Sequence, residues 1–258
     1  MRIIESKANP IIKRALKALS QPAEAGLILI EGHKLLKEAI SSGAKPQMVF
    51  VEHPDSLNDM PELESVCFQV SRGLLREISS VQNPAEIIAF LTPQPAPDLD
   101  KAIKKAAKIL LLDRLQDPGN IGTIIRTGEA MGIDLLIMLK GCCSIFNHKI
   151  ARAAMGSNFR LPICHDADFS SVSELLQKYQ TAMICADMEG KPVADFQFPL
   201  RAALVLGQEG KGLDQKILNE CNSRLAIPMQ GRVESLNVAT SAAICLYEWA
   251  RSRPTGSS

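Results

Sequence analysis

The sequence predicts an α/β protein of two modules, the larger one built around a mostly parallel sheet. Three observations carry that expectation. Short apolar runs alternate with helix-period segments along the chain, the pattern of strands joined by crossover helices. Prolines at 93, 95 and 97 interrupt the alternation within residues 92–98; they fix φ and remove donors, which favours an extended linker. In the C-terminal half, polar Gly-containing segments follow apolar runs. Open α/β sheets bind ligands at that position, beyond the carboxyl ends of their strands.

The linker separates residues 1–97 from residues 98–258. In the first module, residues 10–19 carry apolar side chains at helical spacing. Residues 27–30 read as a short buried strand and 31–40 as a helix ended by Gly43. Residues 48–51 return as a strand, 72–78 as a helix and 87–91 as an apolar strand. In the second module, strands fit 108–112, 135–139, 182–186, 202–206 and 224–227. Helices fit 121–131, 149–155, 172–179, 213–219 and 238–251. The end of the chain, from Arg253, is expected to fray.

Composition excludes several classes. At 258 residues, 46% hydrophobic and 22% charged, the chain is long enough for a real core and ordinary for a soluble protein. No apolar run approaches the roughly 20 residues of a membrane span, and the opening Met-Arg-Ile-Ile-Glu-Ser-Lys does not fit a signal peptide. A cytoplasmic location is expected. The seven cysteines (67, 142, 143, 164, 185, 221 and 245) are scattered, without a C-x-x-C pair, and H-E-x-x-H is missing among four histidines; no metal site is expected. Most of these cysteines read as small buried thiols. A net charge of +1 argues against nucleic-acid binding by bulk charge alone. The basic side chains are nevertheless concentrated at the start, with Lys13, Arg14 and Lys17 on the first helix. Those three could contact phosphates, or form a solvated helix face.

Three segments could carry chemistry. The first reads Asp113-Arg-Leu-Gln-Asp-Pro-Gly-Asn-Ile-Gly-Thr-Ile-Ile-Arg126. Asn120 is a natural N-cap there, and Arg126 falls on the helix that follows. The second, Leu206-Gly-Gln-Glu-Gly-Lys-Gly212, has the spacing G-x-x-G-x-G around Glu209. It is not the dinucleotide G-x-G-x-x-G fingerprint, although its glycines permit close backbone approach to a ligand. The third, Ile227-Pro-Met-Gln-Gly-Arg-Val-Glu-Ser-Leu-Asn-Val238, leads into an apolar helix, and Ser235 could be its cap.

In order, spacing and residue identity the three segments resemble the signature of the SpoU (TrmH-like) RNA ribose 2′-O-methyltransferases of the SPOUT superfamily. The family pattern Asn-x-Gly-x-x-x-Arg is matched by Asn120, Gly122 and Arg126. The resemblance implies a C-terminal SPOUT-type domain, trefoil-knotted on a mostly parallel sheet, behind a smaller N-terminal α/β RNA-binding domain. For the latter, layout and Ile30-Glu-Gly32 carry the likeness. It implies S-adenosylmethionine as methyl donor and RNA as partner, ribosomal RNA ahead of transfer RNA, since only RNA offers a 2′-OH. By resemblance Asn120, Arg126, Glu209, Ser235 and Asn237 form the catalytic set. Gly207, Ile227, Met229, Ser235 and Leu236 would hold the cofactor, and Arg126 would join Lys13, Arg14 and Lys17 on the RNA. It further implies a homodimer, with the last helix contributing to the interface. Two other classes compete with this reading, a catalytically silent RNA-binding or assembly factor of the same fold and an unrelated nucleotide-binding enzyme. The wrong glycine spacing disfavours the second.

Overall fold

The architecture is given by a computed structural model that describes residues 2–208, 210, 212–233 and 235–252. Contacts divide the chain into two compact units. One comprises residues 1–95 together with 144–159, the other residues 96–143 together with 160–258.

The first unit contains β1 (Arg2–Ile4), α1 (Pro10–Ser20), α2 (Pro22–Ala25), β2 (Ile28–Glu31), α3 (His33–Ser41), β3 (Lys45–Val51), β4 (Cys67–Val70), α4 (Arg72–Ile78) and β5 (Ile87–Thr92). Asn9 caps α1 through its side chain and Pro10 occupies the first turn, where a missing N–H costs nothing. The five strands form one mixed sheet in the order β1-β4-β3-β5-β2, with β5 antiparallel to both of its neighbours. One face buries Phe50, Phe68 and Phe90 against Ile12, Ala15 and Leu75 of α1 and α4. The other face buries Ile30, Val49 and Ala89 against Leu36 of α3, and against Ala151 and Phe159. The last two residues arrive from far along the chain.

The proline stretch has no regular structure through Pro97, and the second unit begins within it, at residue 96. Its elements begin with α5 (Leu99–Lys105), β6 (Lys108–Leu112), α6 (Pro118–Ala130) and β7 (Leu135–Leu139). The chain then gives α7 (His148–Ala154) to the first unit and passes through the short α8 (Ser157–Arg160). It continues with β8 (Ile163–Ala167), α9 (Phe169–Lys178), β9 (Ala182–Pro192), β10 (Ala202–Leu206), α10 (Gln215–Glu220), β11 (Ser223–Ala226) and α11 (Val238–Arg251). Six strands, all parallel, run in the order β11-β9-β10-β6-β7-β8. Both faces are covered, so the central strands β6, β7 and β10 read as continuous apolar runs and are almost wholly buried. Ile109, Leu111, Ile137 and Val205 point toward α5, α9 and α10. On α6, Gly128 lies against Ile133 and Leu110. Trp249 of α11 stacks on Phe198 at 5.1 Å between ring centroids.

Several differences from the expected elements have physical causes. β8 is Ile-Cys-His-Asp-Ala, a short edge strand in which His165-Asp166 interrupts the apolar run on which strand recognition depends. β9 runs on to Pro192 because it pairs with β11 beyond a register shift at Arg224/Leu225. A Cβ on Gly190 would lie 2.5 Å from the Leu225 carbonyl carbon, so that crossing demands glycine. Cys185 and Cys221, expected as thiols, are joined in a disulfide with Cα atoms 6.1 Å apart. Among the described residues no helix is long and apolar enough to cross a membrane.

Candidate active site

β6 and β10 are neighbours, and Asp113 N–H donates to Leu206 C=O at 2.9 Å just past their ends. The first two polar segments therefore leave the sheet side by side. The sheet order also reverses direction here, because the chain runs from β6 to β7 and β8 on one side and to β10 and β9 on the other. Ligand crevices in α/β folds form at such a switch point.

The first segment is anchored before it reaches its candidate residues. Asp113 is 4% exposed and accepts three hydrogen bonds of 2.9–3.1 Å from the Arg114 guanidinium. Arg114 adopts a left-handed backbone, φ +54°, and Asp113 raises its pKa further. Asp214 N–H also reaches Asp113 Oδ2, at 3.4 Å. This fork ties the segment after β6 to the residue that caps α10. Sequence reading missed it, though Asp-Arg at the end of an all-apolar strand was the available signal.

Asp117, not Asn120, caps α6. Its side chain accepts from Asn120 N–H at 2.8 Å, with Pro118 in the first turn. Asp-Pro was a sufficient sign of that start. With the cap supplied by Asp117, the Asn120 side chain is released for other contacts. Its Oδ1 accepts from Asn237 Nδ2 at 3.1 Å. Asn237 in turn caps α11, its own Oδ1 accepting from Ala239 N–H at 2.9 Å and Thr240 N–H at 3.3 Å. Ser235 is exposed and is not the cap. One side-chain contact thus joins the first and third polar segments across 117 residues of chain. Arg126 is exposed on α6, about 9 Å along the axis from Asn120 at 1.5 Å per residue. No ion pair or hydrogen bond engages its guanidinium among the described residues.

The second segment folds back on itself. Gly212 N–H donates to Gln208 C=O at 2.9 Å. A Cβ on Gly207 would lie 2.7 Å from the Gly212 carbonyl carbon and 2.8 Å from Leu213 N. Glycine at 207 is therefore enforced by backbone against backbone. Glu209 lies outside the described residues. In the third segment Ile227 and Leu236 are half-buried, and Met229 is 37% exposed. Main-chain groups of residues 229–233 take no partner among the described residues.

These features fit S-adenosylmethionine. A neutral adenine is well matched by free main-chain donors and acceptors beside apolar side chains, and the tight Gly207 turn lets backbone approach a ligand closely. When bound, that cofactor supplies an activated methyl group on its sulfonium. In the other unit, Lys13, Arg14 and Lys17 are exposed on α1, opposite buried Ile12, Ala15 and Ala18. None of the three forms an ion pair among the described residues. No group of three or more His, Cys, Asp or Glu suited to a metal occurs among the described residues.

A parallel sheet with the Gly207 turn and the Asn120–Asn237 contact beyond its strand ends fits the SPOUT class of methyltransferases that the sequence resembles, and the comparisons agree. Residues 107–247 match the model of the SpoU rRNA methylase family, and residues 9–89 match an MRM3-like substrate binding domain. The chain belongs to the SpoU rRNA methylase family. Its reaction class is S-adenosylmethionine-dependent RNA methylation. It is 32% identical over 253 residues to the Bacillus subtilis 23S rRNA (guanosine(2553)-2′-O)-methyltransferase RlmP, covering 96% of this chain and 98% of that one. Among solved structures it resembles the AdoMet-bound rRNA methyltransferase from Sinorhizobium meliloti, with TM-score 0.86, 26% identity and 97% of each chain covered. The SpoU methyltransferase AviRb from Streptomyces viridochromogenes in complex with AdoMet aligns with TM-score 0.82 and 27% identity, over 94% of this chain and 97% of that one.

Proposed function

We propose that this chain methylates a ribose 2′-OH of structured RNA, 23S rRNA in the first instance, working as a cytoplasmic homodimer without metal. The carrying observation is the Asn120–Asn237 hydrogen bond, which brings two family segments to one point at the carboxyl edge of the sheet.

In this reading Gly207, Ile227, Met229, Ser235 and Leu236 hold the cofactor, largely through main-chain and apolar contacts. Asn120, Ser235 and Asn237 fix the ribose, and Glu209 completes the polar set. Arg126 binds the neighbouring phosphate and stabilises the alkoxide that develops on O2′. A guanidinium offers donors only and no acceptor, so Arg126 serves as an electrostatic clamp and not as the proton acceptor. Bound there, S-adenosylmethionine would supply its methyl group to O2′ with the thioether as leaving group, and the hydroxyl proton would pass to solvent. Holding the two reacting atoms in line is the largest service the chain can offer. Lys13, Arg14 and Lys17 contact phosphates, and α11, with Tyr247 56% exposed, supplies part of the dimer interface.

The test is transfer of a radiolabelled methyl group from S-adenosylmethionine to ribosomal RNA and its precursors, followed by nucleoside analysis. A 2′-O-methylnucleoside is expected. A base-methylated product, or none from any rRNA or tRNA despite cofactor binding, would sink the proposal.

A further inference from the structure

We propose that the first unit holds a second, separate RNA site: a pocket that takes one guanine base, read by Glu31. The inference deepens the RNA-substrate reading above and rests on it. It starts from Ile30-Glu-Gly32, a motif to which the methyl-transfer site gives no task.

Glu31 is the last residue of β2, and Gly32 turns the chain at φ +97° into α3. Glu31 lines a cavity of about 220 Å³. That is smaller than the roughly 300–1,000 Å³ of drug-sized sites, and suits one flat ring system. Leu35, Val81 and Ala85 give it apolar walls, while Glu31, Asn83, His148 and Arg152 bring polar groups to it. His148 and Arg152 come from α7, the helix that the chain delivers to this unit from beyond residue 143.

The carboxylate is held in place. Ser80 donates to Oε1 from its N–H at 3.0 Å and its hydroxyl at 2.8 Å, while the Ser79 hydroxyl lies 3.1 Å from Oε2. A carboxylate offers about four lone-pair positions; Ser80 fills the two of Oε1, while the single Ser79 hydroxyl proton can go to Val81 C=O at 3.0 Å instead, which leaves both positions of Oε2 open to two donors. Arg152 lines the same pocket yet forms no ion pair with Glu31 or any other described residue. Burial, with the neighbouring Arg152 and Lys149, pushes the His148 pKa down against the opposing pull of Glu31, which disfavours a charged imidazole beside the carboxylate. The pocket therefore presents a fixed acceptor on one side and unused donors on another, between apolar walls.

A free phosphate is repelled by Glu31, and a metal ion would find a single carboxylate. A neutral heterocycle with both donors and acceptors fits. Among the RNA bases only guanine offers two adjacent N–H donors, N1–H and the N2 amino group, to one carboxylate. Guanine also presents O6 and N7 to a guanidinium, the commonest specific base contact of arginine. Recognition of a splayed base on these edges is the usual mode for single-stranded RNA.

The experiment is a titration of the full-length protein with each nucleoside 5′-monophosphate, followed through the NMR resonances of the His148 ring. Of the four histidines, His148 is assigned by the loss of its signals in His148→Asn. Guanosine monophosphate should shift them saturably. Inosine monophosphate, which lacks the N2 amino group, and the Glu31→Gln protein should each bind at least about tenfold more weakly. Because Glu31→Gln disturbs the Ser79–Ser80 loop, Arg152→Ala and the cavity-filling Ala85→Phe are run beside it, and both should weaken or abolish the shift. Equal shifts from adenosine and guanosine monophosphates would overturn the proposal. So would guanosine binding that leaves His148 unmoved or survives Ala85→Phe. The readout needs no turnover. Methyl transfer intact with no guanosine response refutes the pocket alone, and guanosine binding without methyl transfer to any RNA refutes the enzymatic reading alone.

Discussion

At the scale of single residues, Arg126 and Gly207 give the proposed site its sharpest tests. Arg126 has no partner among the described residues, so its removal should leave folding untouched while removing charge stabilisation. We expect Arg126→Ala to lower single-turnover methylation by about 100- to 1,000-fold, the range for losing one oxyanion-stabilising donor, with an unchanged melting curve. Arg126→Lys should recover little, because a point charge lacks the bidentate fork; full recovery would leave only a generic cation at that position. Gly207 is constrained differently. A methyl group there meets the Gly212 and Leu213 backbone at 2.7–2.8 Å, and rigid backbone cannot yield cheaply. Gly207→Ala should therefore weaken S-adenosylmethionine binding by more than about tenfold in calorimetry, while the protein stays folded. Cofactor binding at the parental affinity would mean that the turn is not part of that site.

At the scale of elements, caps and faces explain both what the sequence discloses and what it conceals. Helix α11 is readable to the residue because its apolar period is long, whereas its cap is not. Ser235 and Asn237 are equally good cap residues, and only the tertiary contact with Asn120 decides between them. Asn237→Ala should cost about 1 kcal/mol for the missing cap and also remove the hydrogen bond to Asn120. Asn237→Asp should retain the cap, and with it most of the stability, yet fail to donate to Asn120. If both variants lose methylation alike while only Ala melts earlier, the Asn120 contact serves the reaction. Equal activity of Asp and parental proteins would assign Asn237 to the cap alone. For α1, the exposed Lys13, Arg14 and Lys17 line one face of an otherwise ordinary amphipathic helix. Replacing all three with Ala should flatten the salt dependence of RNA binding by about 2 in log–log slope, at roughly 0.7 for each single-strand phosphate left without its cation. An unchanged slope would return α1 to the role of a solvated face.

At the scale of the whole molecule, the second sheet is legible in the sequence because β6, β7 and β10 are buried on both faces and so are apolar throughout. β1 and β8 lie at sheet edges; β1 is three residues with one buried, and in β8 the polar His165-Asp166 pair interrupts the apolar run. Of the candidate site, Asn120 and Asn237 stand out as residues, but their contact does not, since 117 intervening residues leave no local trace. The same reason hides the path of residues 144–159. They fall inside the span matched by the methylase family model, 107–247, yet pack within the first unit, where Ala151 and Phe159 join the core beneath β2. A cut at the proline linker therefore leaves a fragment with part of its apolar face uncovered. Burying one Phe is worth about 1.5–3 kcal/mol, a large share of what a domain of this size can hold. Residues 1–97 alone should consequently unfold at a markedly lower urea midpoint than the same fragment supplied with a synthetic peptide of residues 144–159. A midpoint unmoved by millimolar peptide would show that α7 is a passenger on this unit and not part of its core.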